Sequence, residues 1–501
     1  MSLTSYRGEC CDTHDRGERP MDRYDLTIIG GGSAGLVLAV AGAKLGKKTA
    51  LVEKHRLGGD CLWTGCVPSK ALLKSAKVAN YFKNSEKYGI PSGEIKPDFQ
   101  QVMNYVRSTQ NHIEEEHDNP ERFRDMGVDV IFGGGHFDSP NTFIVEDSES
   151  GNTCTLNSKK FVISTGSRPL VPSIPGLKSF NYLDSENVWE LTELPQRLLV
   201  VGAGPIGIEL GQAFHRLGSE VTIAQRSNRI MNKEDLDVSE RMFDYLRTDG
   251  IDIRLNTGID AVEKRDDEIT ITFAGSNQDE NADNQKQTFD KVLIATGRAP
   301  NVEGLGLEEI GVQVGKSGIV VNNRLQTHVK NIYAAGDVIG HYLFTHVAAF
   351  QAQLLIKNIL LPFRQKINYG VVPWTTFCDP EVARCGLTEA EAREKYGDVD
   401  VFRLDQSDVD RAVADGETQG FTKVIASRWR GRILGVHIVG TNAGEVLHEY
   451  VLAMQEGIPL RKLSGMIHVY PTYATSVLRV AAKWISEGTL VQTLRKLIRS
   501  R

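Results

Sequence analysis

One local pattern occurs twice in this chain at a constant offset. The run Asp25-Leu26-Thr27-Ile28-Ile29 reads as a buried strand. It enters Gly30-Gly31-Gly32-Ser33-Ala34-Gly35, a helical stretch and a second strand, Thr49-Ala50-Leu51-Val52-Glu53. Leu198-Leu199-Val200-Val201 likewise enters Gly202-Ala203-Gly204-Pro205-Ile206-Gly207, a helix and Val221-Thr222-Ile223-Ala224-Gln225. Gly30 maps onto Gly202, Gly46 onto Gly218 and Glu53 onto Gln225. A glycine triplet alone marks many ordinary turns. Here each copy lies between a strand and a helix, with the second strand at the spacing of a dinucleotide-binding unit. The glycines Gly30, Gly32 and Gly35, and Gly202, Gly204 and Gly207, let the backbone approach a pyrophosphate at the helix N-terminus.

The copies differ where two different ligands would require it. Glu53 can accept a hydrogen bond from a ribose 2′-hydroxyl. At the matching place stands neutral Gln225, followed by Arg226 and Arg229. A carboxylate repels a 2′-phosphate, whereas guanidinium groups pair with it. The first unit thus suits an unphosphorylated adenosine ribose, and the second suits NADPH over NADH.

Further along, Phe161-Val162-Ile163-Ser164-Thr165-Gly166 and Val292-Leu293-Ile294-Ala295-Thr296-Gly297 are similar strand-to-turn ends, as expected if the second unit is inserted in the first. Ser276 to Thr288 is polar and acidic and reads as an exposed loop. Asn331 to Asp337 reads as a strand ending in an acidic residue. From about Tyr369, strands such as Thr422–Ala426 and Ile433–Val439 mix with the helical stretches Glu389–Lys395 and Gly444–Gln455, a separate α+β domain.

Between the first unit and its surroundings lies Gly59-Asp60-Cys61-Leu62-Trp63-Thr64-Gly65-Cys66-Val67-Pro68-Ser69-Lys70. On a straight helix a five-residue step rises about 7.5 Å, whereas a disulfide needs Cα atoms within about 6.8 Å. Cys61 therefore belongs in a bent turn, permitted by Gly65, with Cys66 near the start of the following helix. There the helix dipole favours a thiolate. Such a pair beside a nucleotide site is a redox device. The competing reading, half of a zinc site, lacks a second close pair, since Cys378 and Cys385 are too widely spaced. No metal site is expected.

Composition narrows the function. The length suggests three or more domains. The formal charge of −6 disfavours nucleic acid or an anionic membrane as partner, and no apolar run reaches about 18 residues. Seven cysteines in so long a chain do not form a secreted framework, so a reducing, cytoplasmic setting is expected. Residues 1–22, with Cys10 and Cys11, read as a mobile tail.

Taken together, the first glycine fingerprint, Gly65-Cys66-Val67-Pro68-Ser69-Lys70 with its paired Cys61, the second fingerprint, Ala295–Gly297, Ala334–Asp337, Pro380-Glu381 and Gly386–Glu389 form a specific set. Over roughly residues 22–490 the chain resembles the FAD-dependent pyridine nucleotide–disulfide oxidoreductases, such as glutathione reductase, dihydrolipoamide dehydrogenase and mercuric reductase. The resemblance implies an α/β fold of two Rossmann-like domains, one inserted in the other, plus a C-terminal α+β dimerisation domain. The expected bounds are 23–168 and 299–368 for FAD, 169–298 for NAD(P)H and 369–501 for dimerisation, after the tail 1–22. It implies electron flow from NADPH through the flavin to Cys61–Cys66. Cys66 resembles the thiolate that touches the flavin, and Cys61 the interchange thiol that meets the substrate. Lys70 and Glu209 resemble the ion pair near the flavin on the nicotinamide side. Thr165, Gly166 and Asp337 fall at flavin-binding positions, and Gly297 at an NADPH-binding position. A homodimer with shared active sites follows from the same resemblance.

The chain departs from the family where substrate is handled. Disulfide-reducing members carry His-Pro-Thr, with a glutamate three residues after the threonine, as a proton relay. Here the segment is His468-Val469-Tyr470-Pro471-Thr472-Tyr473-Ala474-Thr475, with Tyr470 and Thr475 in the relay positions. A phenol with a pKa near 10 is a poor base at neutral pH. His468 would substitute only if the loop were rotated. Mercuric reductase also has tyrosine here, but this chain lacks that enzyme's C-terminal vicinal cysteines and its N-terminal metal-binding domain. The expected acceptor is a small molecule or metal ion, with a thiol-bound metal such as Hg(II) placed first and a glutathione- or lipoamide-type disulfide second. A flavin-bound redox sensor or interaction protein is the reading from another class. Trp63, between the cysteines, either narrows access to them or packs against the core.

Overall fold

The computed structural model describes residues 23–93, 96–147, 150–265, 268–274 and 286–499. The expected tail with Cys10 and Cys11 lies outside the described residues, as do residues 276–285 of the expected loop.

Two parallel sheets carry the repeated pattern. The first has the order Ile332–Ala334, Phe161–Ile163, Leu26–Ile29, Thr49–Glu53, Val128–Phe132. The second has the order Asp252–Arg254, Glu220–Ala224, Arg197–Val201, Lys291–Ile294. Leu26–Ile29 is buried throughout, as near-continuous apolar strands are when helices cover both faces. In each sheet the fingerprint strand is flanked by its βαβ partner on one side and a later strand on the other. That change of direction opens a crevice at the carboxyl ends of the strands, where such sheets bind ligands. The helices Ser33–Lys44 and Pro205–Leu217 start at these crevices.

Two antiparallel three-stranded sheets are added, Gly134–Ser139 with Thr142–Glu146 and Thr153–Asn157, and Ile259–Arg265 with Glu268–Phe273 and Lys286–Phe289. The last strand corrects the expectation of a loop to Thr288. Lys286–Thr288 pair with Ile271 and its neighbours at a sheet edge, where only Phe289 turns into the core, so a polar composition is compatible with a strand.

The C-terminal domain is an antiparallel sheet in the order Pro373–Thr376, Glu381–Gly386, Ile433–Gly440, Phe421–Ser427, Val399–Asp405. The helices Ala443–Gln455 and Thr475–Glu487 pack on it through Leu447, Tyr450, Val477 and Trp484. Among the described residues, no helix is long and apolar enough to cross a membrane.

A buried ionic knot joins this domain to the second nucleotide unit. The Lys423 ammonium lies 2.8 Å from Glu389, 3.1 Å from Asp235 and 3.2 Å from Asp237. Removing one partner of a buried ion pair strands the others without compensation. Lys423→Ala is expected to cost about 3 kcal/mol, read as a lowered thermal midpoint of the FAD-loaded protein, whereas an unchanged midpoint would show the knot to be solvated.

Candidate active site

Cys61 and Cys66 are placed by a break between two helices. Cys61 lies in the one-turn helix Gly59–Trp63, and Cys66 opens the long helix Cys66–Lys83. The bend comes at Thr64-Gly65, where a Cβ on Gly65 would meet the Asp60 carbonyl at 2.9 Å. The segment is held from several sides. Gln110 donates to the carbonyls of Leu62 and Trp63, and the Trp189 indole donates to that of Thr64. The Trp63 indole donates to Leu57 at 2.7 Å, and the Arg56 guanidinium, paired with Glu114, covers its ring at 3.2 Å. Trp63 is thus a fixed wall residue rather than a swinging gate.

In the dithiol form the two sulfurs are unequal. The Cys66 thiol is pulled down to about 6, first by a hydrogen bond from Cys61, then by the Thr345 hydroxyl and the charge of Lys70, against burial and the charge of Glu209. Cys61 is pushed up for the reciprocal reason, with burial and Asp118 adding to it. Near neutral pH Cys66 is the thiolate and Cys61 keeps its proton. Thr345 Oγ1 lies 3.3 Å from Cys66 Sγ at the start of the helix Thr345–Leu355, so that helix N-terminus faces the thiolate. Thr345 is a site residue that sequence reasoning missed; a threonine opening a helix far along the chain carries no motif.

Lys70, one turn along from Cys66, reaches across to the second unit. Its ammonium is 2.9 Å from Glu209 Oε2 and sits over the Phe377 ring at 4.4 Å. Glu209 is buried, and its other oxygen accepts from the Phe377 backbone N–H at 2.8 Å. The pair therefore has both a fixed position and a fixed partner set.

The glycine turns fit two dinucleotides. A Cβ on Gly35 would lie 1.9 Å from the Gly30 carbonyl, and one on Gly207 would lie 2.0 Å from that of Gly202, so these glycines serve helix–strand packing. A Cβ on Gly204 would meet nothing within 4 Å, and one on Gly32 only Gly59 at 3.9 Å. Their faces open into the cavity, as a pyrophosphate cradle requires. Glu53 accepts from the Gly31 N–H at 2.7 Å, and Gln225 accepts from the Ala203 N–H at 3.1 Å, so the discriminating positions are held alike. The two expected arginines part company. Arg226 lines the cavity, while Arg229 donates to the Asn232 carbonyl at 2.5 Å.

Both turns, both cysteines, Lys70, Glu209, Thr165, Gly166, Gly297 and Asp337 line one continuous cavity of about 2630 Å³. A single ligand pocket usually spans about 300–1,000 Å³. Asp337 accepts from the Ser167 hydroxyl at 2.7 Å, and burial raises its pKa. Arg298, immediately after the Ala295–Gly297 motif, was also missed. It donates to Asp60 and to Ser167 and approaches Asp337 at 3.9 Å, tying the cysteine segment to Asp337.

Tyr470 is not brought to this cavity within the chain. It is 69% exposed on a loop of the C-terminal domain, and Asp410 beside it holds its phenol above the ordinary range. Thr475 is turned inward, donating to the Thr472 carbonyl. His468 also points inward, onto Glu449. No group of three or more His, Cys, Asp or Glu able to hold a metal ion is found among the described residues.

Comparison with known proteins accords with this geometry. A family model described as pyridine nucleotide-disulphide oxidoreductase matches residues 24–352, and the model of its dimerisation domain matches 372–481. The chain is 36% identical over 460 residues to a mercuric reductase of Staphylococcus aureus, covering 92% of this chain and 82% of that one. It is 32% identical over 472 residues to a dihydrolipoyl dehydrogenase of Bacillus subtilis, covering 91% and 96%. The solved Cu(II) complex of the HOCl-induced flavoprotein disulfide reductase RclA from Escherichia coli superposes with a TM-score of 0.83 at 28% identity, covering 92% and 99%. The chain belongs to the pyridine nucleotide-disulphide oxidoreductases, enzymes that use FAD and NAD(P)H, and it carries their dimerisation domain.

Proposed function

We propose that this protein takes electrons from NADPH, relays them through FAD to the Cys61–Cys66 pair, and delivers them to a thiol-bound metal ion such as Hg(II). The observation that carries the redox reading is the Cys66 thiolate, held by Cys61 and Thr345 within reach of the Lys70–Glu209 pair, in the cavity shared by both nucleotide turns. The bound flavin supplies the two-electron relay between nicotinamide and disulfide. Lys70 offsets negative charge that develops beside it, and Glu209 keeps that ammonium in place. Cys66 stays unprotonated for electron transfer, while Cys61 keeps a proton to surrender as it binds the acceptor. One NADPH balances one bis-thiolate Hg(II): NADPH and one proton are consumed, and Hg(0), NADP⁺ and the two released thiols are the products.

Three observations support a metal acceptor. A mercuric reductase is 36% identical, and RclA was solved with Cu(II). Soft thiolates select soft metal ions. Tyr470 stands where a proton relay would be, and its exposure on the dimerisation domain, away from its own chain's cavity, supports a site shared across a homodimer. The dihydrolipoyl dehydrogenase likeness supports a disulfide or dithiol substrate as the second reading.

The test is steady-state NADPH oxidation with Hg(II), Cu(II), oxidised glutathione, lipoamide and quinones. Hg(II) is expected to turn over fastest, and Tyr470→Phe is expected to lower its kcat/KM at least about tenfold, the scale seen when a metal site loses a supporting group. Rapid turnover of oxidised glutathione would overturn the proposal.

A further inference from the structure

His468 is the inward member of an otherwise outward segment. Ile467 is 102% exposed, Val469 77% and Tyr470 69%, while the His468 side chain is only 6% exposed. Its Nε2 lies 3.2 Å from both carboxylate oxygens of Glu449, and its Nδ1 lies 3.3 Å from the Met466 carbonyl. Both ring nitrogens face acceptors of the same subunit, and His468 does not line the cavity, so its placement is that of a contact within its own domain rather than of a stand-in for the missing relay. Glu449 sits on the helix Ala443–Gln455, which is anchored in the core by Leu447 and Tyr450. The same helix presents Glu445 and His448 to the wall of the chain's own cavity. Beyond Tyr470, Thr472 donates to the Val469 carbonyl at 2.7 Å and closes the turn.

We infer that His468 and Glu449 are positioning residues: together they pin the Ile467–Tyr470 segment to a rigid helix and so aim Tyr470 at the partner subunit's acceptor site. This rests on the reading of Tyr470 given above. It assigns a replacement for the absent histidine–glutamate relay that works by geometry and moves no proton. The pair also ties the segment serving one active site to the helix that walls the other.

The test uses the full-length, FAD-loaded protein with His468→Gln, Glu449→Gln and the double variant. Each single change is expected to speed amide hydrogen exchange in residues 466–472. Each should lower kcat/KM for Hg(II) by about 10- to 100-fold, the scale of loss on misplacing a contact group. Dimer mass and the rate of flavin reduction by NADPH should be unchanged. Because the two act as one unit, the double variant should be no worse than either single one. Wild-type exchange and turnover in the single variants would overturn the inference, as would losses that multiply in the double variant. If exchange rises but Hg(II) turnover holds in these variants, the aiming role is overturned. Tyr470→Phe then separates the causes: a loss there keeps the acceptor reading, and no loss ends it too.

Discussion

Replacing Cys66 by serine is expected to abolish acceptor reduction, by about 10³-fold or more, while NADPH still reduces the flavin. The cofactor turns, Lys70 and Glu209 are untouched by the change, so the first half of the electron path survives. What is lost is the thiolate, since a serine hydroxyl beside Thr345 does not ionise at neutral pH. In the unmodified protein, anaerobic NADPH titration should produce a long-wavelength absorbance band from the thiolate against the flavin, and Cys66→Ser should lose it. Cys61→Ser should keep the band and lose the acceptor. The pH dependence has a definite sign. Cys66 is depressed to about 6 in the dithiol form, so its alkylation should rise as pH rises through about 6 and then level off, with Cys61 slow throughout. Absence of the band in the unmodified protein would sink the redox-disulfide mechanism.

The second large effect concerns the nicotinamide cofactor. Arg226→Ala should raise the KM for NADPH by about 10- to 100-fold and leave NADH nearly unchanged, because a hydrogen bond to a charged group is worth about 1.5–3 kcal/mol. Arg229→Ala should do little, since its guanidinium is spent on the Asn232 carbonyl. Gln225→Glu should move preference toward NADH: the side chain already accepts from Ala203 N–H as Glu53 does from Gly31 N–H, and a carboxylate there repels a 2′-phosphate. If the unmodified protein already prefers NADH, the charge argument at Arg226 is wrong.

The repeated turns were legible in the amino-acid order because their glycines answer to local backbone geometry, which sequence records directly. The Cys66 helix start was legible for the same reason. Cys61 in a one-turn helix was not, since spacing excludes a continuous helix but does not say where the chain bends. Contacts between distant segments were also invisible. Thr345 meets Cys66, Arg298 meets Asp60, and Lys423 meets Asp235, each across more of the chain than any periodicity spans. Polarity misled at Lys286–Thr288, where an edge strand needs only Phe289 for the core. In the amino-acid order His468 reads as a plain polar loop residue, because the Glu449 carboxylate behind it comes from a separate helix 19 residues earlier.

A second ionic attachment joins the same two parts as the Lys423 knot, at the other end of the helix Leu236–Asp249. Arg216, from the helix of the second nucleotide unit, bonds Asp379 of the C-terminal domain at 2.6 Å and Asp249 at 2.9 Å, with the guanidinium nearly buried. Swinging that unit away would part Lys423 from Asp235 and Asp237, leaving it Glu389, and would part Arg216 from Asp379, leaving it Asp249. The unit proposed to take the nicotinamide dinucleotide is thus tied to the C-terminal domain at two places. Side chains at the rim adjust on the fast timescale of rotamer changes, and coenzyme exchange should proceed without the slow hinge closure that many two-domain enzymes need.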